Sequence, residues 1–571
     1  MGQGASVTAM GAGAPLLRRR RLIAGAVLAP LAGCHPEEAA RYTGDWLGAS
    51  ASRGHRLRER KAGGVAAPDW QGRAGAIVVG AGISGLAAAR ALIRAGVDDV
   101  QLLDLEDEAG GNSRGHQIAG MRCPLGAHYL PVPGERAVEV IALHEELGLR
   151  GTERGVPVND ERMLCHSPQE RLHIDGFWHD GLLPPIAALP ATEREATLAQ
   201  YRRFAAAVDA AGAGGSFAMP TARSRWSDQT LALDAVTFDA WLDAQALNAP
   251  ALRWYLDYCC RDDYGAGSAQ VSAWAGLHYF ASRHGFHPPG DGTDERDGVL
   301  TWPEGNGWLA RRLAEPLRER LQTGRVALRV TEGRDDVTVD VWNDTAQRSE
   351  RWRAPQLVLA VPLFVAATLM DSPPAALTRA AAAMPHAPWL VGNVQLSEAL
   401  DERPGAPLSW DNVAYDPGRL NPTLGYVDAM HQSTRTLPGP TVLTAYWALG
   451  GSTPAQLAAQ RARLLGEPWS VWSAAIVGDL ARLHPDLPRK VQRVDLMRYG
   501  HAMSVPVPGL RSSTALSELA RPQRRVHFAH SDLSGYSVFE EAMYQGGRAG
   551  AAAARAVLAT GSSAPRGGRR A

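Results

Sequence analysis

A run of four apolar residues that leads directly into a glycine-rich turn constrains this chain more than any other feature. The run is Ala76–Val79, and the turn carries Gly80, Gly82 and Gly85 in the pattern G-x-G-x-x-G. An apolar run of this length bounded by glycine is typical of a parallel strand covered on both faces. Gly80 permits the tight turn, Gly82 lets the backbone approach a pyrophosphate, and Gly85 permits close packing of helix on strand. The stretch therefore predicts the strand, turn and helix of a dinucleotide-binding site.

The residues after the turn predict how such a site is completed. The helix begins around Ile83 and Ser84, so its free N–H groups and the positive end of its dipole face the phosphates. A second strand, Val100–Leu103, is followed by Asp104, which lies 19 residues after Gly85. That spacing places a carboxylate where it accepts hydrogen bonds from a ribose and repels the 2′-phosphate of NADP.

Charge and cysteine content exclude several classes of function. The 571 residues carry a formal net charge of zero, which argues against a general electrostatic grip on nucleic acid. Nearly all of the positive charge is arginine, because the chain has two lysines, Lys61 and Lys490. Five scattered cysteines without a C-x-x-C pair predict neither a disulfide framework nor a zinc site, and we expect no metal.

The N-terminus is predicted to be a targeting segment. Four arginines, Arg18–Arg21, precede the apolar run Leu22–Gly33, which is too short to span a bilayer as a helix. This order is typical of a secretory signal, here residues 1–33, and the consecutive arginines resemble a twin-arginine signal. The run ends in Leu-Ala-Gly-Cys, which resembles the lipobox of bacterial lipoproteins and predicts lipidation of Cys34. A basic tail before a chance apolar run is the alternative, and residues 34–74 are predicted to be a polar tether.

A second glycine pair makes the resemblance to a known family specific. Gly110 and Gly111 begin six residues after Asp104. An acid followed at this distance by Gly-Gly resembles the flavin-containing amine oxidase superfamily, which also includes phytoene desaturases and protoporphyrinogen oxidases. In that family the Gly-Gly turn runs along the pyrophosphate and ribityl chain of FAD. The arginine that usually follows the glycines is replaced by Asn112, and Arg114 is the candidate to substitute for it.

Three further segments match this family in order along the chain. Pro124–Tyr129 resembles the strand that ends in a glycine near the isoalloxazine. The resemblance assigns cofactor contact there to Gly126, Ala127, His128 and Tyr129. Val330 lies in a predicted hairpin, where the family's residue holds the adenine through its backbone. Leu357–Pro362 resembles the family's next strand.

The C-terminal segment resembles the closing motif of the family. Val526–Asp532 is predicted to be a strand followed by an acid, and the resemblance assigns Asp532 a contact with the ribityl region of FAD. Ser537–Glu540 has the S-x-x-E form of a capping box and predicts a helix that runs to about Leu558. Such a helix would direct its positive end at the flavin, and Phe539 is assigned to the cofactor site.

The resemblance implies an α/β fold, with a Rossmann-like FAD-binding domain of the glutathione-reductase type interleaved with an α+β substrate domain. The FAD-binding domain is predicted to comprise residues 75–135, 300–380 and 500–560. The substrate domain is predicted to comprise residues 136–299 and 381–499, and residues 561–571 are predicted to be a disordered tail. Most aromatic residues of the substrate region are expected to be core packing, among them Trp254, Tyr255, Tyr258, Tyr264, Trp274 and Tyr279.

The sequence offers only weak candidates for catalytic groups. Many amine oxidases carry a lysine linked to oxygen reactivity, and the matching strand of this chain has Asn393 at that position. His128 and His501 lie next to cofactor motifs and are candidate acid–base groups, with a structural role as the alternative. The aromatic cage position of the family is matched by Val538, with Tyr536 two residues earlier. Because the lysine is replaced at that position, an electron acceptor other than oxygen is a hypothesis.

Three functions remain open from the sequence. The first is an exported FAD oxidoreductase, periplasmic or lipid-anchored, that takes a hydride from the C–N bond of a small-molecule amine onto flavin N5. The second is an FAD-dependent desaturase that acts on C–C bonds of an apolar substrate. The third is a flavin-binding lipoprotein without turnover. The sequence predicts no nucleic-acid partner, a membrane contact only through the lipid anchor, and no particular oligomeric state.

Overall fold

Five parallel strands form the sheet that the glycine turn follows, which we call the nucleotide sheet. In order across the sheet they are Leu321–Gln322, Val100–Leu103, Ala76–Val79, Leu357–Leu359 and Val526–Phe528. All four residues of the central strand, Ala76–Val79, are buried, as expected for a parallel strand covered on both faces. The turn leaves the carboxyl edge of the sheet, where open α/β folds bind their ligands. The predicted Rossmann-like fold is confirmed.

The protein is described by a computed structural model that covers residues 42–283, 285–289, 298–418, 422–435, 437–522 and 524–562, with the backbone alone at 60–63 and 560–562. All of these residues belong to the unit that begins at Tyr42. The predicted signal segment 1–33 and Cys34 lie outside the described residues. The disordered tail was predicted to begin at residue 561, but the last helix continues through Ser562.

Two antiparallel-rich sheets complete the architecture. A four-stranded sheet contains Arg325–Glu332, Val337–Asn343, Arg348–Ala354 and Trp70–Arg73. An eight-stranded sheet, which we call the large sheet, contains in order Trp46–Leu47, Val491–Ser504, His386–Leu396, Thr441–Ala448, Thr423–Asp428, Asp411–Ala414, Glu170–Ile174 and Phe177–Asp180. Two-stranded pairings join Tyr129–Pro131 to Val299–Thr301, Gly115–Ile118 to Met121–Pro124, and Arg150–Glu153 to Val156–Asn159. Val491–Ser504 crosses the predicted domain boundary at residue 500, because its pairing with the large sheet continues to Ser504.

Helices cover the sheets and build the region between them. The α-helices are Ala51–Gly63, Ile83–Arg94, Val138–Glu146, Ala191–Gly212, Asp228–Asp234, Phe238–Ala244, Pro250–Tyr264, Ala273–Ala281, Gly307–Ala314, Leu363–Leu369, Ala375–Ala383, Pro454–Gly466, Trp469–Leu483, Leu487–Lys490, Thr514–Ala520 and Phe539–Ser562. Short 3-10 helices are Ala213–Gly215, Thr221–Arg223, Glu315–Leu317 and Ser531–Ser534. Among the described helices, none combines the length and apolarity that a membrane crossing needs.

The prediction of a tether over residues 34–74 is wrong from Tyr42 onward. Trp46–Leu47 pairs in parallel with the large sheet, and Trp70–Arg73 pairs in parallel with the four-stranded sheet. Both segments occupy sheet edges, where unpaired backbone groups accept a short strand with little demand on its side chains. The polar composition of this stretch therefore concealed its fixed structure.

The aromatic residues of the substrate region pack as expected. Trp254, Tyr264 and Trp274 are buried in one hydrophobic core between the helices around residues 191–281 and the large sheet. The adjacent pair Cys259–Cys260 belongs to the same core. These residues therefore stabilise the fold.

Glycines allow the C-terminal helix, Phe539–Ser562, to pack closely against the helix that follows the glycine turn, Ile83–Arg94. A Cβ atom on Gly546 would lie 2.1 Å from the carbonyl oxygen of Ser84, and one on Gly550 would lie 2.3 Å from that of Ala88. Both neighbours are backbone atoms, which do not move aside without shifting a helix. This contact holds the two helices on which the predicted cofactor site rests.

The close contact predicts opposite effects for two neighbouring substitutions. We expect Gly550→Ala to lower the free energy of unfolding by roughly 1–3 kcal/mol, because the new methyl group overpacks the helix pair. Gly547→Ala is the matched control, since a Cβ there meets nothing within 4 Å; it should stabilise the helix by up to about 1 kcal/mol. Thermal unfolding of both variants measures the effect. Equal shifts of the two unfolding temperatures would contradict this packing.

Candidate functional site

A cavity of ≈ 410 Å³ collects most of the residues that the sequence assigned to the cofactor. It lies between the carboxyl edge of the nucleotide sheet and strands of the large sheet. The predicted residues that line it are Gly80, Gly82, Ile83, Ser84, Asp104, Gly110, Gly111, Asn112, Arg114, Gly126, Ala127, His128, Tyr129, Phe539 and the catalytic candidate His501. The predicted residues that do not line it are Gly85, Val330, Asn393 and Asp532.

The three glycines of the turn have different surroundings. Gly80 has a φ of +97°, and a Cβ there would lie 2.6 Å from the carbonyl oxygen of Ala360. A Cβ on Gly85 would lie 1.7 Å from the carbonyl oxygen of Gly80, so this glycine serves the packing of helix on turn. A Cβ on Gly82 would meet only the Cα of Gly111, at 3.8 Å. The fold alone therefore tolerates a side chain at Gly82, and the space it would fill belongs to the cavity.

Two carboxylates stand at one end of the cavity. Asp104 accepts hydrogen bonds from the backbone N–H of Ala81, at 2.5 Å, and of Glu106, at 2.8 Å. Burial raises the pKa of the Asp104 carboxyl above its usual range, and these two hydrogen bonds oppose the shift. Glu106 also lines the cavity and accepts from the N–H of Ser50 at 2.9 Å. The sequence analysis missed Glu106, because its neighbours Asp107 and Glu108 made it one acid in a run.

Arg114 supplies the cation that a bound anion would need at this end. Its side chain is 6% exposed and lies 3.9 Å from Glu106 and 3.4 Å from Glu108. Its Nε and Nη1 atoms have no hydrogen-bond partner among the described residues, and unsatisfied buried donors are costly unless a ligand completes them. Asn112 differs, because its side-chain amide already donates to the carbonyl of Ala502 at 2.7 Å. Arg114, the open Gly82 and the helix start together fit a dinucleotide pyrophosphate.

Aromatic rings form a wall farther along the cavity. The ring of His128 stacks on Tyr446, with centroids 4.3 Å apart, and lies 4.9 Å from Tyr129 and 5.4 Å from Trp410. Burial lowers the pKa of His128 to about 3, so the imidazole is neutral at physiological pH. The neutral ring of His128 can therefore donate one hydrogen bond and accept another, but it carries no charge.

A group of acids that the sequence analysis did not identify closes the cavity beyond this wall. Asp262 accepts a hydrogen bond from the hydroxyl of Tyr129 at 3.0 Å, and Asp263 pairs with Arg283 at 3.2 Å. Glu540, the second residue of the C-terminal helix, also lines the cavity. Burial, with the like charge of Asp263, raises the pKa of Asp262 to about 6. Three carboxyl groups and one guanidinium line this end of the cavity, which gives it an excess of acidic groups, and burial also raises the pKa of the Glu540 carboxyl.

Comparison with known proteins decides the family. The sequence model of the family described as flavin containing amine oxidoreductase matches residues 83–557, which is most of the chain. The protein belongs to this family. The family is one of flavin-containing oxidoreductases, and the cavity is the candidate flavin site.

Individual relatives match this chain over short segments or at low sequence identity. Polyamine oxidase 1 of Oryza sativa subsp. japonica is 42% identical over 89 residues, which cover 15% of this chain and 17% of that protein. Coproporphyrinogen III oxidase of Mycobacterium leprae is 41% identical over 119 residues, 20% of this chain and 23% of that protein. The chain thus spans less than a quarter of the curated relatives it matches. A solved structure of putrescine oxidase bound to putrescine has a TM-score of 0.60 at 20% identity, and covers 84% of this chain and 99% of its own. That likeness shows the shared fold.

Two residues that the family resemblance assigned to FAD lie away from the cavity. Asp532 is fully buried and accepts from the N–H of Leu363 at 2.9 Å, while His386 and His530 stand at 3.2 and 3.1 Å from its carboxylate. Its neighbours His530 and Ser531 line the cavity instead. Asp532 itself is turned away from the cavity lining, in a 3-10 turn at Ser531–Ser534 that follows the strand.

Val330, which the resemblance assigned to the adenine, also does not line the cavity. The carbonyl of Val330 accepts from the N–H of Asp371 at 3.0 Å, so that part of its backbone is already engaged. The residue of the same strand that reaches the acid loop is Arg325, whose N–H donates to the carbonyl of Asp104 at 2.7 Å. Arg325 does not line the cavity either, so the assignment of the adenine contact to Val330 stays a prediction.

The strand that carries the lysine in many amine oxidases presents Trp389 and Val391 to the cavity of this flavoprotein. Asn393 is fully buried, donates to the carbonyl of Pro124 at 2.9 Å and accepts from Thr444 at 2.7 Å. Asn393 is therefore a structural residue, and none of the described lining residues is a lysine. Lys490 lies in ion pairs with acids of the large-sheet loops.

The start of the C-terminal helix differs from the predicted capping box. The helix begins at Phe539, and the hydroxyl of Ser537 instead lies 3.3 Å from the N–H of Ser504. Val538 lines the cavity, while Tyr536 is fully buried and bonds His278 at 2.9 Å. Val538, the residue matched to the family's aromatic cage, is therefore aliphatic.

His501 is exposed at the rim of the cavity, with its ring 4.6 Å from that of Phe364.

Proposed function

We propose that this flavoprotein oxidises a small-molecule amine at a C–N bond. The observation that carries the proposal is that Asp262, Asp263 and Glu540 reach the same cavity as the glycine turn, with Arg283 as their main counter-charge. A cavity with an excess of buried carboxylates favours a cation, and a small-molecule amine arrives from solution as such a cation. The putrescine-bound relative supports the same substrate class.

The residues around the cavity have separate tasks in this proposal. FAD, when bound, supplies the two-electron acceptor, which takes a hydride from the carbon next to the substrate nitrogen. The wall of His128, Tyr129 and Tyr446, which line the cavity, excludes water and orients the chain of the substrate. Asp262 attracts the ammonium group and would accept the proton that this group must lose before the neutral amine gives up its hydride. The product would be an imine.

The identity of Val391 is relevant to the electron acceptor that reoxidises the flavin. It stands on the strand where many amine oxidases have their lysine, and it offers no proton or charge to the cavity. We therefore propose that an acceptor other than oxygen is used, or that oxygen reacts slowly. Mixing the reduced protein with air-saturated buffer tests this, and rapid reoxidation would refute it.

A desaturase that acts on an apolar substrate is the second candidate. The aromatic wall favours it. An apolar substrate would leave the carboxylates at the end of the cavity without a partner, and this counts against the desaturase.

A reduction assay under anaerobic conditions separates the two candidates. The purified holoprotein is mixed with a panel of primary and secondary amines, with the alcohol of equal length for each amine, and with polyenes and quinols. We expect bleaching of the visible flavin bands by amines and not by the matched alcohols. Bleaching by polyenes or quinols alone would favour desaturation and would refute amine oxidation.

We also propose that the protein is exported and anchored by lipid at Cys34. The support comes from the sequence, where Arg18–Arg21 and Leu22–Gly33 have the order of a signal segment. In a bacterial host, the wild-type protein should fractionate with membranes, and Cys34→Ser should shift it to a soluble periplasmic or a cytoplasmic fraction. An unchanged distribution of the variant would contradict the anchor.

A further inference from the structure

The segment before the glycine turn crosses from one sheet to the other over the cofactor cavity. We call Tyr42–Arg53 the strap. It lies outside the region that the family model matches, and one of its residues, Ala49, lines the cavity. We infer that the strap is part of the cofactor site and retains FAD by closing the end of the cavity at Asp104. The inference rests on FAD binding alone and is independent of the substrate.

Backbone pairing fixes the first half of the strap to the large sheet. Trp46 and Leu47 pair in parallel with Leu496 and Met497, and the N–H of Leu496 donates to the carbonyl of Asp45 at 2.9 Å. The guanidinium of Arg498, on the same strand, also lies over the ring of Trp46, 4.5 Å from the ring centroid. This half is therefore a strand of the large sheet.

The middle of the strap approaches the cavity closely. Gly48 has a φ of +73°, and a Cβ there would lie 2.0 Å from the sulfur of Met497 and 3.6 Å from Nη1 of Arg114. The N–H of Ala49 donates to the same sulfur at 3.4 Å. Arg114 is the buried cation with unsatisfied donors, so the strap covers the part of the cavity that best fits an anion.

Side chains fix the second half to the acid loop after the second strand of the nucleotide sheet. The N–H of Ser50 donates to both carboxylate oxygens of Glu106, at 2.9 and 3.1 Å. Arg53 donates to the carbonyl of Leu105 at 3.1 Å and to Asp107 at 2.7 Å, and it also pairs with Asp344. The strap thus links the two sheets across the cavity, and a bound dinucleotide leaves by this end only when these bonds break.

The rate of FAD release from the holoprotein tests the inference. Arg53→Ala removes the contacts with Leu105 and Asp107, and we expect release, followed by flavin fluorescence after dilution, to accelerate about tenfold. Arg56→Ala is the matched control. Arg56 lies on the same helix, stands 3.9 Å from Asp344 and covers Trp342. Its substitution should change the rate by less than about twofold.

Three results would overturn the inference. The first is an unchanged rate in Arg53→Ala, and the second is an equal acceleration in both variants, which would indicate a general loss of stability. The third comes from hydrogen exchange of the wild-type protein with and without FAD. We expect FAD to protect the amides of residues 48–53, and exchange that is indifferent to FAD would refute a role of the strap in retention. None of these results depends on which substrate reduces the flavin.

Discussion

Replacing Gly82 with valine is expected to abolish flavin retention while the protein still folds. The fold leaves room at this position, because a Cβ atom would meet only the Cα of Gly111, at 3.8 Å. The backbone of Gly82 is already in an ordinary extended conformation, with φ of −67°. The valine side chain would instead occupy the space in which the pyrophosphate approaches the backbone. We expect the affinity for FAD to fall by at least about a hundredfold, or roughly 2.7 kcal/mol.

Two measurements on the purified variant decide this prediction. The flavin content follows from the visible spectrum, and thermal unfolding of the flavin-free protein reports the fold. Gly478→Val is the matched control, since this exposed helical glycine meets nothing within 4 Å and lies outside the cavity lining. Full flavin content in Gly82→Val would refute the placement of the pyrophosphate. A variant that loses flavin only because it unfolds would differ in its apoprotein melting temperature.

Asp262→Asn is expected to slow the reduction of the flavin by amines. The amide keeps a polar partner for the hydroxyl of Tyr129 but removes the negative charge that attracts the ammonium group. The second-order rate constant for anaerobic reduction should fall roughly tenfold to hundredfold, about 1.4–2.7 kcal/mol of transition-state stabilisation. FAD content should stay unchanged. Asp243→Asn, on an exposed carboxylate of a nearby helix, is the control and should leave the rate constant as it is.

The pH dependence gives this prediction a second readout. The pKa of Asp262 is about 6, raised by burial and by Asp263, with Arg283 acting in the opposite sense. As pH falls through about 6, Asp262 gains a proton and loses its attraction for the ammonium group. The rate constant of the wild-type protein should therefore decline below this pH. Asp262→Asn should lack that inflection, and an identical pH profile in both proteins would exclude Asp262 from substrate binding.

Some parts of the site follow from the sequence because they depend on local backbone geometry. The turn from Gly80 to Gly85 and the pair Gly110–Gly111 need glycine where the chain bends or packs closely, so their spacing alone predicts a dinucleotide site. Asp104 follows from its distance to the turn. The cavity brings these segments together, as the pattern predicts.

Other parts depend on which distant segments meet, and the sequence does not specify that. Asp262 reaches the cavity only because the end of its helix packs beside Tyr129, which lies 133 residues earlier. Val330 and Asn393 lie on the predicted strands, but neither lines the cavity, because a strand pattern does not determine which residues along the strand face it. The strap was concealed for the same reason, since its anchors at Met497 and Glu106 lie in remote segments.

The most direct test of this account is the visible spectrum of the purified protein during anaerobic addition of a primary amine. We predict that the protein carries FAD as purified and that the amine bleaches its visible bands, while the alcohol of equal length leaves them unchanged. Absence of bound flavin, or a bound flavin that no amine reduces, would refute amine oxidation by this protein.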